Sequence, residues 1–286
     1  MHCKRFEKLL INLPQIIKMA VLPIQKYFSL NGNLTRCEQF VAAENEGGVY
    51  EVVRIIDGIP LFLEEHLDRF FRSAGLAGIN ITFSAKQLTG FVSSLIEANK
   101  VNEGNILLSV KITLKIFFIQ HSYPDEKMYR EGVNCGLLHA ERINPNAKVF
   151  QTKVRARANN LIQKQGFYEV LLVDRSGLIT EGSRSNVFFI RENSLITPPS
   201  GQVLLGITRQ KTIRCAEILG LNWEEKEIEL TELADFDAAF ITGTSPKILP
   251  VSQIAELSFS VSNGILRELI TQFDLLIEEY LFSQRR

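Results

Sequence analysis

Lys148 follows Asn144-Pro145-Asn146-Ala147 at the junction of a loop and a helix, and an amine there can form a Schiff base with an aldehyde. Glu181 lies in the small polar stretch Thr180-Glu181-Gly182-Ser183-Arg184-Ser185-Asn186, between apolar runs that read as strands. A carboxylate in that setting either faces solvent from a bulge or is held for a purpose. Held, it can keep a pyridine nitrogen protonated and make the ring an electron sink. Gly206-Ile207-Thr208 opens a helix, where backbone N–H groups, a hydroxyl and the positive dipole end suit an anion. Gly243-Thr244-Ser245-Pro246 is a second turn of that kind. Arg69, three residues after His66 on a helix, adds a guanidinium. Singly, each has an ordinary reading: a solvated lysine, a Thr cap, an exposed arginine. Together they are the parts that a pyridoxal 5′-phosphate site needs.

The elements that must position these residues can be read from pattern. Tyr27 to Cys37 forms a hairpin, with Asn31-Gly32 supplying the positive φ values of a tight turn. Gly48 to Ile56 is a strand on which Tyr50, Val52 and Arg54 share one face and Glu51, Val53 and Ile55 the other. Helices are expected over 64–75, 84–100, 149–165, 206–219 and 265–282. Strands are expected over 105–120, 170–173 with its return after Asp174-Arg175-Ser176-Gly177, 187–190, 238–242 and 247–251. Residues 121–147 read as a polar, loop-rich boundary. This is an α+β layout: an N-terminal extension over 1–26, a smaller unit over 27–143 and a larger one over 144–286.

Lys plus Arg and Asp plus Glu balance at 32 each, which argues against a nucleic-acid binder held by charge. Cys3, Cys37, Cys135 and Cys215 are scattered, as are the four histidines, so no metal site is proposed and a reducing, cytoplasmic setting is expected. No stretch approaches a membrane span. The opening residues make a poor signal peptide, since Pro14 and Lys18 interrupt the apolar run.

The segments VYEVVRIIDGIPLFLEEHLDRF, NPNAK, GFYEVLLVDRSGLITEGSRSNVFFI, LITPP, VLLGITRQ and AFITGTSPKILPV occur in that order between about residues 28 and 255. In this the chain resembles the class IV aminotransferases, the fold-type IV pyridoxal phosphate enzymes. That family includes branched-chain and D-amino-acid aminotransferases and aminodeoxychorismate lyases. The resemblance implies a smaller α/β domain and a larger domain on a mostly antiparallel sheet or barrel with flanking helices. It makes Lys148 the Schiff-base lysine and the carrier of the substrate Cα proton, and pairs Glu181 with the pyridine nitrogen. It assigns the phosphate to Arg69, Ile207, Thr208 and Thr244, and the substrate to Tyr50, Arg54 and Ser245. Lys153 competes for the lysine role, but Lys148 has the better spacing to Glu169 and Glu181. The implied reaction is a ping-pong transfer of an amino group between an amino acid, branched-chain or similar, and a 2-oxo acid, in a homodimer.

Some features depart from the family pattern. Glu46-Gly47-Gly48 replaces the Gly-Asp-Gly that many relatives carry before the Tyr-Glu pair. Thr152 and Lys153 occupy the places where branched-chain enzymes carry a tyrosine after the lysine. The arginine that D-amino-acid enzymes use for the substrate carboxylate has no match in SVKITLK. The substrate is therefore open. Pyruvate elimination from aminodeoxychorismate is the second reading, and a non-catalytic pyridoxal phosphate-binding protein the third.

Overall fold

The structure, a computed structural model, describes residues 21–42 and 46–285. Most of the expected N-terminal extension therefore lies outside the described residues. The chain divides into two compact units, residues 1–121 and 122–286.

The first unit is a six-stranded antiparallel sheet with two helices. Its strands are β1 (Tyr27–Leu30), β2 (Asn33–Arg36), β3 (Val49–Ile56), β4 (Ile59–Pro60), β5 (Gly104–Val110) and β6 (Leu114–Ile119), ordered β2-β1-β6-β5-β3-β4. Asn31 at φ 50° and Gly32 at φ 88° make the expected tight turn between β1 and β2. Helix α1 is Leu63–Leu76 and α2 is Ala85–Asn99. The α2 helix starts on a full capping box, with Ser84 and Gln87 each bonding the other's backbone. On β3, buried and half-buried residues alternate: Val49, Glu51, Val53 and Ile55 are inside.

The second unit is built on a ten-stranded, mostly antiparallel sheet. Helix α3 (Glu126–Glu131) leads to β7 (Val133–His139), and α4 (Thr152–Gln165) to β8 (Glu169–Val173). Then come β9 (Leu178–Gly182), β10 (Asn186–Arg191), β11 (Ser194–Thr197), α5 (Ile207–Ile218), β12 (Asn222–Glu225) and β13 (Ile228–Glu229). The chain closes with β14 (Ala238–Gly243), β15 (Lys247–Ile254), β16 (Leu257–Ser258) and α6 (Gly264–Gln284). The order is β12-β11-β10-β14-β15-β7-β8-β9-β13, with β16 on β15.

The segment 121–147 departs from its loop-rich composition. It carries α3, and its strand β7 pairs in parallel with both β15 and β8. That central position places these residues in the second unit and moves the division from 143/144 to 121/122. Helix α4 begins at Thr152, three residues later than expected. Among the described residues, no helix is long and apolar enough to cross a membrane.

One face of the second sheet carries the main core, including Cys135, Leu171, Val173, Ile179, Val187, Phe189 and Ile241. On the other face, Leu138, Val170 and Leu172 pack under Ala158, Val154 and Leu161 of α4. Phe188 and Phe240, cross-strand partners on β10 and β14, stack at 5.1 Å and 5°. Such a pair adds about 0.5–1.5 kcal/mol beyond its buried area.

Candidate active site

A β-bulge places Glu181. Val173 pairs with Ile179, but Leu171 pairs with Gly182, so Thr180 and Glu181 together lie opposite Leu172. The extra residue inverts the alternation of β9. Ile179 points into the main core, and after the bulge Gly182 does, which turns Glu181 to the opposite face. That is the face of Val170 and Leu172, the one α4 covers. The loop carrying Lys148 leads into α4 and so reaches the sheet on the side of the acid. An exposed carboxylate, the ordinary reading of this stretch, is not what the fold makes: Glu181 is 4% exposed.

The Glu181 carboxylate is held at both oxygens. Arg142 Nη1 donates to Oε1 at 2.8 Å, and the Leu204 N–H donates to Oε2 at 3.1 Å. Arg142 Nη2 donates in turn to the Ala147 carbonyl at 2.9 Å, the peptide preceding Lys148. One guanidinium thus ties the acid to the backbone at the lysine. Sequence reasoning passed over Arg142, which looks like any loop arginine until the fold folds it back.

Other bonds fix the same loop. Asn146 Nδ2 donates to the Ser200 and Val203 carbonyls, both at 2.7 Å. Gln151 accepts from the Ile143 N–H at 3.1 Å and donates to the Ile143 carbonyl at 2.6 Å. Lys148 is half-buried beside the buried Ala147, whereas Lys153 is exposed on the first turn of α4. That difference favours Lys148.

A second buried acid lies across the sheet. Glu169, at the start of β8, shares the face of Leu171 and is 2% exposed. Its Oε1 accepts from Ser183 Oγ at 2.6 Å and its own neighbour's N–H, Val170, at 2.9 Å. Its Oε2 accepts from Ser185 Oγ at 3.0 Å and the Arg184 N–H at 3.1 Å. Its charge lowers the acidity of Cys135, whose thiol burial first and Glu169 second push well up. The carboxylate anchors the turn that follows Glu181. Arg184, whose placement the sequence leaves open, sends Nη2 to the Tyr168 carbonyl at 3.2 Å.

The two anion-suited turns both lie near Asn186. Asn186 on β10 is paired with Thr242 on β14, one residue before Gly243 and the Thr244-Ser245 turn. Asn186 Nδ2 donates to the Leu204 carbonyl at 2.8 Å, just before α5. Gly206 caps α5 with no side-chain hydrogen bond, and no acid stands in the first turn. Ile207 and Thr208 are buried there; Thr244 and Ser245 are half-buried. An uncapped helix start without a competing anion fits a phosphate, and a buried, oriented carboxylate fits a pyridine nitrogen.

In the first unit, Tyr50 and Arg54 share the half-buried face of β3, as expected from alternation. Glu51 on the other face meets α1. Arg69 donates from Nε to Oε1 and from Nη2 to Oε2, each at 2.7 Å, and His66 Nδ1 lies 2.8 Å from Oε2. Burial alone would raise the Glu51 carboxyl, but the Arg69 charge and the Arg69 and His66 hydrogen bonds override it and hold it at about 2.

A model of the class IV amino-transferase family matches residues 48–254. The chain belongs to the class IV aminotransferases. These enzymes use pyridoxal 5′-phosphate to move an amino group, and the site residues above fit that group. The family member named D-alanine aminotransferase from Bacillus licheniformis is 32% identical over 78% of this chain and 87% of its own length. A probable branched-chain-amino-acid aminotransferase of Rickettsia typhi is 31% identical over 82% and 86%. The fold matches the branched-chain amino acid aminotransferase of Escherichia coli with a TM-score of 0.80 at 21% identity, covering 88% of this chain and 95% of that one. The fold-type IV architecture expected of this aminotransferase is therefore the one it has.

Proposed function

We propose that this aminotransferase moves an amino group between a branched-chain or similar amino acid and a 2-oxo acid, with Lys148 as the catalytic lysine. The observation that carries the reading is the Arg142 bridge: one guanidinium holds both the Glu181 carboxylate and the carbonyl before Lys148. Pyridoxal 5′-phosphate, when bound, supplies an aldehyde for an amine and a ring that accepts electron density. Lys148 takes and returns the substrate Cα proton as general base and acid. Glu181 holds a proton on the ring nitrogen. Ile207 and Thr208, through N–H groups and a hydroxyl, hold the phosphate with Thr244. The family resemblance supports Arg69, which Glu51 orients in the first unit, as a further phosphate residue. The family resemblance supports Tyr50 and Arg54 of the first unit, and Ser245 of the second, as substrate residues.

The scattered cysteines support a cytoplasmic setting. The family resemblance supports a homodimer. The relatives' names support two donor classes, branched-chain amino acids and D-alanine.

The purified enzyme with pyridoxal phosphate is assayed against a panel of L- and D-amino donors with 2-oxoglutarate and pyruvate, and against aminodeoxychorismate. Turnover of branched-chain donors is expected. Turnover of D-alanine alone reassigns the substrate, and pyruvate release from aminodeoxychorismate without amino transfer selects the lyase.

A further inference from the structure

Asn186 opens β10 and is 5% exposed. Its Nδ2 donates to the Leu204 carbonyl at 2.8 Å, and the N–H of that same Leu204 donates to Glu181 Oε2 at 3.1 Å. Gly206, the N-cap of α5, follows two residues on, and a Cβ there would lie 2.1 Å from Asn186 Oδ1. The start of the helix is therefore pressed against Asn186, and only glycine permits the approach.

The path from Asn186 back to Glu181 is closed as well. The Gly182 N–H donates to the Ser185 carbonyl at 2.8 Å, and Ser183 and Ser185 are pinned to Glu169. A ring of hydrogen bonds joins Glu181, the 183–185 turn, Asn186 and Leu204. Asn186 is the member that touches the helix start.

We propose that Asn186 is a positioning residue that sets the distance between Glu181 and the first-turn N–H groups of α5, the two sites assigned above to the ring nitrogen and the phosphate. The inference rests on that assignment. A ligand with a polar group at each end gains from two sites only when their spacing matches its own. Shifting one site against the other removes that gain and leaves each site's own affinity in place. A neutral asparagine suits the task, because its amide donates to Leu204 without adding charge beside a phosphate.

The test compares Asn186→Ala with wild type for pyridoxal phosphate, for pyridoxal, and for inorganic phosphate by competition. Pyridoxal phosphate affinity is expected to fall about tenfold or more, while pyridoxal and inorganic phosphate each change by less than about twofold. A residue that merely supports the fold would move all three together, so a parallel loss overturns the proposal, as does an unchanged pyridoxal phosphate affinity. Gly206→Ala pushes the same contact from the helix side and is expected to give the same split. It decides the matter should Asn186→Ala fail to fold: wild-type binding or a parallel loss in Gly206→Ala overturns the proposal. Wild-type enzyme that binds no pyridoxal phosphate overturns the site assignment and the proposal together. Normal wild-type binding without the split overturns the proposal alone.

Discussion

Arg69 grips Glu51 through two parallel hydrogen bonds of 2.7 Å in the interior of the first unit, both side chains being at most 5% exposed. Breaking a buried pair by removing one partner strands the other charge, at about 3–5 kcal/mol. Glu51→Gln is expected to lower the melting temperature of the enzyme markedly. The pair also makes a pH prediction. The folded carboxyl sits at about 2 against an ordinary 4.5. A depressed folded value stabilises the fold above the unfolded value, and the stabilisation is lost as pH falls from 4.5 towards 2. Wild type should lose stability across that acid window, and Glu51→Gln should lose less there. Equal acid sensitivity of the two proteins would contradict this.

Arg142 should matter to turnover more than to substrate binding. Arg142→Gln loses charge-assisted bonds to Glu181 and to the Ala147 carbonyl, which at about 1.5–3 kcal/mol corresponds to roughly tenfold to hundredfold in kcat. Arg142→Lys is expected to recover little, because an ammonium is a point donor and cannot span two acceptors as a guanidinium does. Steady-state kinetics with the preferred donor check this; a rise in KM at constant kcat would refute it.

Gly182 should not tolerate a side chain. A Cβ there would lie 2.0 Å from Ser185 Oγ and 3.2 Å from Glu169 Cγ. Gly182→Ala must displace Ser185 from Glu169, at about 1–3 kcal/mol of overpacking. Gly201→Ala, with nothing within 4 Å, is the matched control and should stay within about 0.5 kcal/mol of wild type. Thermal unfolding of the two variants makes the comparison.

Much of this was legible from local pattern. The Asn31-Gly32 turn, the two faces of β3 and the helices over most of their lengths follow from turn chemistry and periodicity. Glu181 stood out as an acid among strand residues, but its orientation did not, because the bulge that turns it depends on pairing with β8. Strand β7 carries no local mark: Gly136 interrupts a short apolar run, and its place comes from parallel partners distant in sequence. Arg142, Glu169, Asn186 and Glu51 were missed as site-shaping residues for a common reason. Each acts through a contact with a remote segment, and a charged or amide residue carries no local mark of which partner it will meet.

The proposed function turns on Lys148. Borohydride reduction of the pyridoxal phosphate-loaded enzyme, followed by peptide mapping, tests it directly. A phosphopyridoxyl group is expected on Lys148, absent in Lys148→Ala and retained in Lys153→Ala. A label on Lys153, or on no lysine of a protein that has bound the cofactor, would contradict it.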